Sequence, residues 1–302
     1  MKNKKSIGYF QLSMGMILAG SSVVVGKMLN SYPIFFVVDI SLFVAFMSIW
    51  SIARMVEGKI KISDVEKSDW KYILFQSLAG IVFFRLFMML GVKYTSAVKS
   101  GIVLSTTPAV LAVLAWIFLK EKMTKIMVLG VAVCVSGILL INISKGSVGA
   151  TEGKEVLGMF FMFLSVVSEA MFTIFRKKQS VNEKPLTSTF YVMFIAFVLL
   201  LPLGIYEYIN MDKHLLSINL ALPLLYYGVF ASSLAYVCWF SGLAKVAANK
   251  AAGFTGLMPV ASVVLACVVL GESIKPIYIV GMVLIFAGIR LITGRQKDSR
   301  SI

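Results

Sequence analysis

Long apolar runs separated by short polar clusters recur along the whole chain. They fall at 7–29, 33–54, 70–91, 95–119, 124–143, 156–176, 187–206, 216–242, 247–270 and 275–294. A helix needs about 20 apolar residues to cross the hydrocarbon core of a bilayer, and each run is long enough. Helices are expected because a strand in lipid leaves backbone groups unpaired unless its sheet closes. The roughly ten-residue alternating segments of an outer-membrane barrel are not found in the sequence. The pattern predicts an all-α polytopic membrane protein with ten transmembrane helices. The basic start, Met1 to Lys5, followed by an apolar run, has the outline of a signal peptide. The run is longer than a typical signal core, lacks a small-x-small cleavage site and leads into a second span, so it is read as a retained first helix.

Composition agrees with this reading. Of 302 residues, 59% are apolar and 14% charged, and the mean hydropathy is +0.90. A soluble protein is about half apolar and one quarter charged. A soluble enzyme, a nucleic-acid-binding domain and a disordered chain are therefore excluded. The formal charge of +15 would suggest nucleic acid if it were concentrated in blocks, but Lys and Arg are dispersed between the apolar runs. Assigned to alternate sides of ten spans, 21 fall with the N-terminus and 7 opposite, and Arg85 is left within a span. That excess is the positive-inside signature, and it predicts both termini on the cytoplasmic side of the cytoplasmic membrane. Cys134, Cys238 and Cys267 lie inside apolar runs without ligand spacing, so neither disulfides, a metal nor another cofactor is expected.

The chain also repeats itself. At an offset of 151 residues Gly91 meets Gly242, Lys99 meets Lys250, Pro108 meets Pro259 and Glu121 meets Glu272. Gly130 likewise meets Gly281, and Gly137 meets Gly288. Residues 91–143 against 242–294 give 15 identities in 53 ungapped positions. Random pairing of apolar residues would give about 10%. Two repeats, 1–146 and 147–302, then hold five spans each. Five is odd, so the second repeat enters the membrane from the opposite side. Inverted repeats are a transporter architecture.

Gly91-Val-Lys-Tyr-Thr-Ser-Ala97, Thr107-Pro108, Leu119-Lys120-Glu121, Leu257-Met-Pro259, Leu270-Gly271-Glu272 and the first-helix Gly20-Ser21-Ser22 with Lys27 resemble the drug/metabolite transporter superfamily. The likeness is to its EamA-type two-repeat members and covers essentially the whole chain. The resemblance implies ten helices, a central pathway between two five-helix halves, and movement of metabolites or drugs, often outward. The small-residue motifs of helices 1 and 6 usually carry Trp in that family, and here Ala19 and Glu169 stand there.

Ionisable residues at membrane depth are the first functional candidates, because they are costly there unless paired or wetted. Asp39 and Arg85 each lie six residues from the outer ends of helices 2 and 3, roughly 9 Å deep. They suit either a structural ion pair or a gate in which Asp39 competes with a substrate carboxylate for Arg85. Lys99 and its repeat partner Lys250 either snorkel to the headgroups or form cationic mouths. Glu169, near the middle of helix 6, is a neutral acid between helices, a seat for a substrate amine, or a proton carrier. Pro108 and Pro259 free the carbonyls of Leu104 and Thr255, and either kink their helices or line the cavity, as Ser21 and Ser22 would. Tyr236 aligns with Arg85 and is the aromatic expected in the cavity wall. Glu121 and Glu272 are read as structural caps accepting N–H groups of the next helix. Gly130 with Gly137, and Gly281 with Gly288, suit close helix packing, within the bundle or at a dimer seam. His214 is the only histidine and lies in a loop, so no catalytic set is expected.

The sequence thus predicts a secondary transporter in a lipid bilayer, monomeric or homodimeric, moving a small molecule by alternating access. Export of amino acids or related zwitterions leads, with proton coupling through Glu169 as an option. A multidrug effluxer of lipophilic cations is the alternative.

Overall fold

The computed structural model describes residues 2–121, 123–143, 152–179, 184–246 and 252–293. Lys250 lies outside them. The helices are α1 (Lys2–Met28), α2 (Ile34–Val56), α3 (Trp70–Tyr94), α4 (Ala97–Leu119) and α5 (Lys125–Ile143), then α6 (Glu152–Lys177), α7 (Pro185–Asn210), α8 (Ile218–Leu243), α9 (Leu257–Leu270) and α10 (Pro276–Thr293). Among the described residues seven helices are long and apolar enough to cross a membrane, and Lys125–Leu140, Phe254–Leu270 and Pro276–Ile292 are shorter apolar helices. Large apolar side chains point outward as well as inward. Trp116, Leu139, Phe160 and Val283 are exposed, as expected where the solvent is lipid. Inside, Val37, Ile73, Met88, Ile102 and Met162 are buried in one core.

Among the described residues α3, α4 and α8 are interrupted, and the interruptions of α3 and α8 lie 151 residues apart. In α3 the segment Gln76–Phe83 is π-helical, and in α8 so is Tyr227–Leu234. Such segments place an extra residue in a turn and recur at functional sites. Helix α4 breaks at Ser105–Thr106, just before Pro108, because Pro108 has no N–H to offer the preceding turn. Helices α4 and α9 both end on a left-handed residue, Lys120 (φ 53°) and Gly271 (φ 66°). Glu121 N–H and Glu272 N–H then reach back to the carbonyls of Ala115 and Ala266, each at 3.3 Å.

Helices α2 and α7 pack side by side and cap one another. Glu57, after the end of α2, accepts the N–H groups of Leu186 and Thr187 at the start of α7, both at 2.9 Å. Glu207, near the end of α7, accepts the N–H of Phe36 at the start of α2, at 2.8 Å. The two helices are therefore antiparallel. Carboxylates suit these places because the first N–H groups of a helix lack internal partners.

Helices α5 and α10 cross on glycines. A Cβ on Gly130 would lie 2.7 Å from the Gly288 carbonyl oxygen, and one on Gly137 would lie 2.8 Å from that of Gly281. The small-residue seam read from sequence is thus an intrachain contact in this structure. It leaves no space for a side chain on either helix.

The caps assigned to Glu121 and Glu272 need correction. Glu272 does not cap α10, the next helix. Its two oxygens accept Ala97 N–H at 2.9 Å and Val98 N–H at 2.8 Å, so it caps α4 from the far end of α9. Sequence neighbourhood misled here, since α9 and α4 pack together. The exposed Glu121 carboxylate lies 3.4 Å from Lys177 Nζ and caps no helix among the described residues.

Candidate functional site

The interior polar site centres on Arg85, which follows the π-helical segment of α3 and is 4% exposed. Its guanidinium donates to Ser41 Oγ on α2 at 2.6 Å and to Ser232 Oγ on α8 at 2.5 Å. It also stacks over the Tyr227 ring, 4.7 Å from the centroid. Both hydroxyls are free to accept, because each gives its own proton to a carbonyl: Ser41 to Val38 at 2.8 Å and Ser232 to Tyr227 at 2.8 Å. The second bond reaches back five residues, a carbonyl that the π-helical turn of α8 presents. Among the described residues no carboxylate pairs with Arg85. The Tyr227 hydroxyl is buried and has no hydrogen-bond partner among them.

The expected partnership of Asp39 with Arg85 is therefore corrected. Equal depth is not equal direction. Residues advance about 100° each around a helix, so Asp39 and Ser41 lie on nearly opposite faces of α2. Ser41 takes the face toward Arg85, and Asp39 is turned to α7, where its side chain abuts Gly204.

Glu169 is half-buried on α6. Its Oε2 lies 2.9 Å from Thr107 Oγ1 beside the break in α4. One turn along α6, Phe172 touches Tyr236 of α8, with centroids 6.1 Å apart. Tyr236 is within electrostatic range of both Arg85 and Glu169. The structure thus places Arg85, Tyr236 and Glu169 in one neighbourhood, drawn from both halves of the chain.

Lys99 lies elsewhere. It is buried at the start of α4, is ion-paired with Glu155 of α6 and sits over the Tyr278 ring at 5.6 Å. Snorkelling to the headgroups or a cationic mouth is what the sequence suggests for it; the pairing charge comes from a residue 56 positions away, which depth alone does not reveal. With Lys27, Glu155, Glu272, Lys275 and Tyr278 it lines a cavity of about 510 Å³ at one end of the bundle. Lys27 is held there by the carbonyls of Val92 and Thr95, at 2.6 and 2.7 Å. It serves the C-terminus of α3, where a cation is favoured.

Ser21 and Ser22 are buried between helices. Ser21 Oγ donates to the Leu18 carbonyl at 2.6 Å and accepts from Tyr226 of α8 at 3.1 Å, while Ser22 lies against Met88 of α3. Pro259 is buried in α9 beside Gly101, Ile102 and Ser105 of α4. The sequence reading passed over Ser41, Tyr227 and Ser232. No sequence signal marked the last two: 227–234 shares no identity with 76–83 at the offset of 151, and only the π-helical form of both segments reveals their equivalence.

The helices, their lipid-type exterior and the buried polar centre define a multi-pass α-helical membrane protein. Residues 6–143 and 156–294 each match the EamA-like transporter family. The chain belongs to that family, as a two-repeat transporter of the drug/metabolite type. It is 30% identical over 299 residues to an uncharacterized transporter, YetK, of Bacillus subtilis (strain 168), covering 98% of this chain and 89% of that one. A second transporter of that organism, YyaM, is 29% identical over 78% of this chain and 76% of its own. A probable terminal-alkyne amino-acid exporter of Streptantibioticus cattleyicolor is 23% identical over 80% of each chain. One solved crystal structure superposes with a TM-score of 0.63 at 14% identity, covering 99% of this chain and 100% of the other, a likeness of fold alone.

Proposed function

We propose that the protein is a secondary transporter of ten spans, built as two inverted five-helix repeats at 1–146 and 147–302. It exports amino acids or related zwitterionic metabolites across the cytoplasmic membrane by alternating access, with both termini in the cytoplasm. The inversion is supported by the reciprocal caps of α2 and α7, which are repeat equivalents running antiparallel. The glycine crossing of α5 and α10 gives the same support, because Gly130 opposes Gly288 and Gly137 opposes Gly281.

The observation that carries the substrate class is Arg85. A buried guanidinium held by two hydroxyls and an aromatic face, with no carboxylate among the described residues, is a receptor for a ligand carboxylate. Planar guanidinium matches carboxylate in a two-point fork. Glu169, across Tyr236, suits the amine of the same ligand. The amino-acid exporter named among the relatives favours the same class. A lipophilic cation fits less well, because Arg85 would repel it.

Counterflow in liposomes with labelled L-amino acids, set beside a panel of cationic dyes, tests the reading. Amino-acid counterflow that Arg85→Gln abolishes is the expected result. Dye transport unaffected by that substitution, without amino-acid movement, would overturn it in favour of multidrug efflux.

A further inference from the structure

Three consecutive hydroxyls line the break in α4, and each satisfies a carbonyl three residues earlier. Ser105 Oγ donates to Ile102 at 2.5 Å, Thr106 Oγ1 to Val103 at 2.7 Å and Thr107 Oγ1 to Leu104 at 2.8 Å. The Leu104 carbonyl would have accepted the N–H of residue 108 in a continuous helix, and that residue is Pro108. Among the described residues Thr107 supplies the missing proton.

Thr107 Oγ1 also lies 2.9 Å from Glu169 Oε2. A hydroxyl has one proton and two acceptor positions. That single proton cannot serve the Leu104 carbonyl and an ionised Glu169 at once; both contacts are hydrogen bonds together only when the carboxyl carries the proton of the second. An ionised Glu169 would compete for the single proton and leave the carbonyl or the carboxylate unsatisfied at membrane depth, and either is costly.

We infer that Glu169 carries a proton in this conformation, seated on Thr107 by the proline break of α4, and that this proton exchanges for the ammonium group of the substrate. The exchange rests on the zwitterion reading proposed above. It balances simply: the neutral acid releases H⁺ to the side the site faces, the carboxylate takes the ammonium, and a proton from the other side displaces it after the site reorients. One zwitterion then moves outward as one proton moves inward, so each cycle carries one net charge.

The surroundings leave Glu169 this role. Helix α6 packs on α3 and α4. Helix α3 carries Lys71, Tyr72, Lys93 and Tyr94 toward its ends, and Arg85 in its interior. Helix α4 carries Lys99, which Glu155 pairs at the helix end. Helix α8 presents Tyr236, together with Tyr226, Tyr227 and Cys238. Of these, Tyr236 comes nearest through Phe172, one turn along α6 from Glu169. Among the described residues no cation forms an ion pair with Glu169. The repeat position equivalent to Thr107 is Met258, which has no hydroxyl, so the seat occurs once per chain.

The test uses the full chain in liposomes without ligand. Infrared difference spectra at neutral pH are expected to contain a protonated-carboxyl band that Glu169→Gln removes. Thr107→Val should shift it to higher frequency, and Thr107→Ser should return it. Adding an L-amino-acid mixture should remove the band, and an entrapped pH dye should report proton movement opposite to amino-acid movement, lost in Glu169→Gln. Absence of a band dependent on Glu169 overturns the inference while leaving amino-acid counterflow and its dependence on Arg85 intact. Amino-acid counterflow with no accompanying proton movement overturns the exchange. Loss of the transport reading itself would appear separately, as no counterflow in the wild-type protein.

Discussion

Arg85 shows how a charge is kept inside an apolar bundle without a counter-charge. Two serines accept its protons only because their own protons go to nearby carbonyls. Arg85→Lys keeps the charge but loses the planar fork, and charge-assisted hydrogen bonds are worth about 1.5–3 kcal/mol each. Binding of an L-amino-acid ligand, read by thermal shift or calorimetry, should weaken by about 10- to 100-fold. Lys120 invites the opposite change. It holds a left-handed φ where its repeat equivalent is Gly271, and that conformation costs a residue with a Cβ about 1–2 kcal/mol. Lys120→Gly should raise the melting temperature without altering transport. In the loop after α2, the hydrogen bond from Lys184 holds the Asp64 carboxyl below the usual carboxylate range. A lowered value adds stability above the ordinary carboxylate range, and that stability is lost as pH falls through the lowered value. Asp64→Asn should therefore lower the melting temperature slightly at neutral pH, and the difference should close on acidification.

Helices here are fastened mainly at their ends and at points of closest approach. Glu57, Glu207 and Glu272 each close the N-terminus of a helix remote in sequence. Removing a side-chain cap costs about 0.5–2 kcal/mol. Glu57 accepts two N–H groups of α7 and Glu207 one of α2, so both Glu57→Ala and Glu207→Ala should lower thermal stability in detergent, Glu57→Ala by the larger amount. Close approach gives a larger effect. A side chain at Gly288 would meet the carbonyl of Gly130 and the Cys134 side chain. Gly288→Leu should force α5 and α10 apart at a cost of about 1–3 kcal/mol or more, seen as lost monodispersity and a lowered melting temperature. A dimer-seam role for these glycines would instead leave the monomer stable and remove only a dimer.

At the scale of the molecule, the π-helical segments of α3 and α8 and the left-handed ends of α4 and α9 recur at the offset of 151 residues. The proposed topology has a direct check. In a cysteine-free background, thiol labels introduced at the exposed positions Lys59 and Lys213 should react from opposite sides of the membrane, with Lys59 cytoplasmic. The sequence alone determined the helical class, the repeat and its 151-residue register. Apolar length, lysine distribution and paired Gly, Pro and Glu positions are one-dimensional signals, and the bilayer leaves a chain of this kind few other solutions. It also carried depth, and so singled out Arg85 and Glu169. Direction around each helix was decided only by tertiary packing, because the rotation of a helix is set by its neighbours and lipid exposes apolar side chains on every face. That is why Asp39 turns to Gly204 while Ser41 meets Arg85, why Glu272 caps α4 rather than α10, and why Lys99 is taken up by Glu155. It is also why Thr107, which the sequence marks only as the neighbour of Pro108, stands between the Leu104 carbonyl and Glu169.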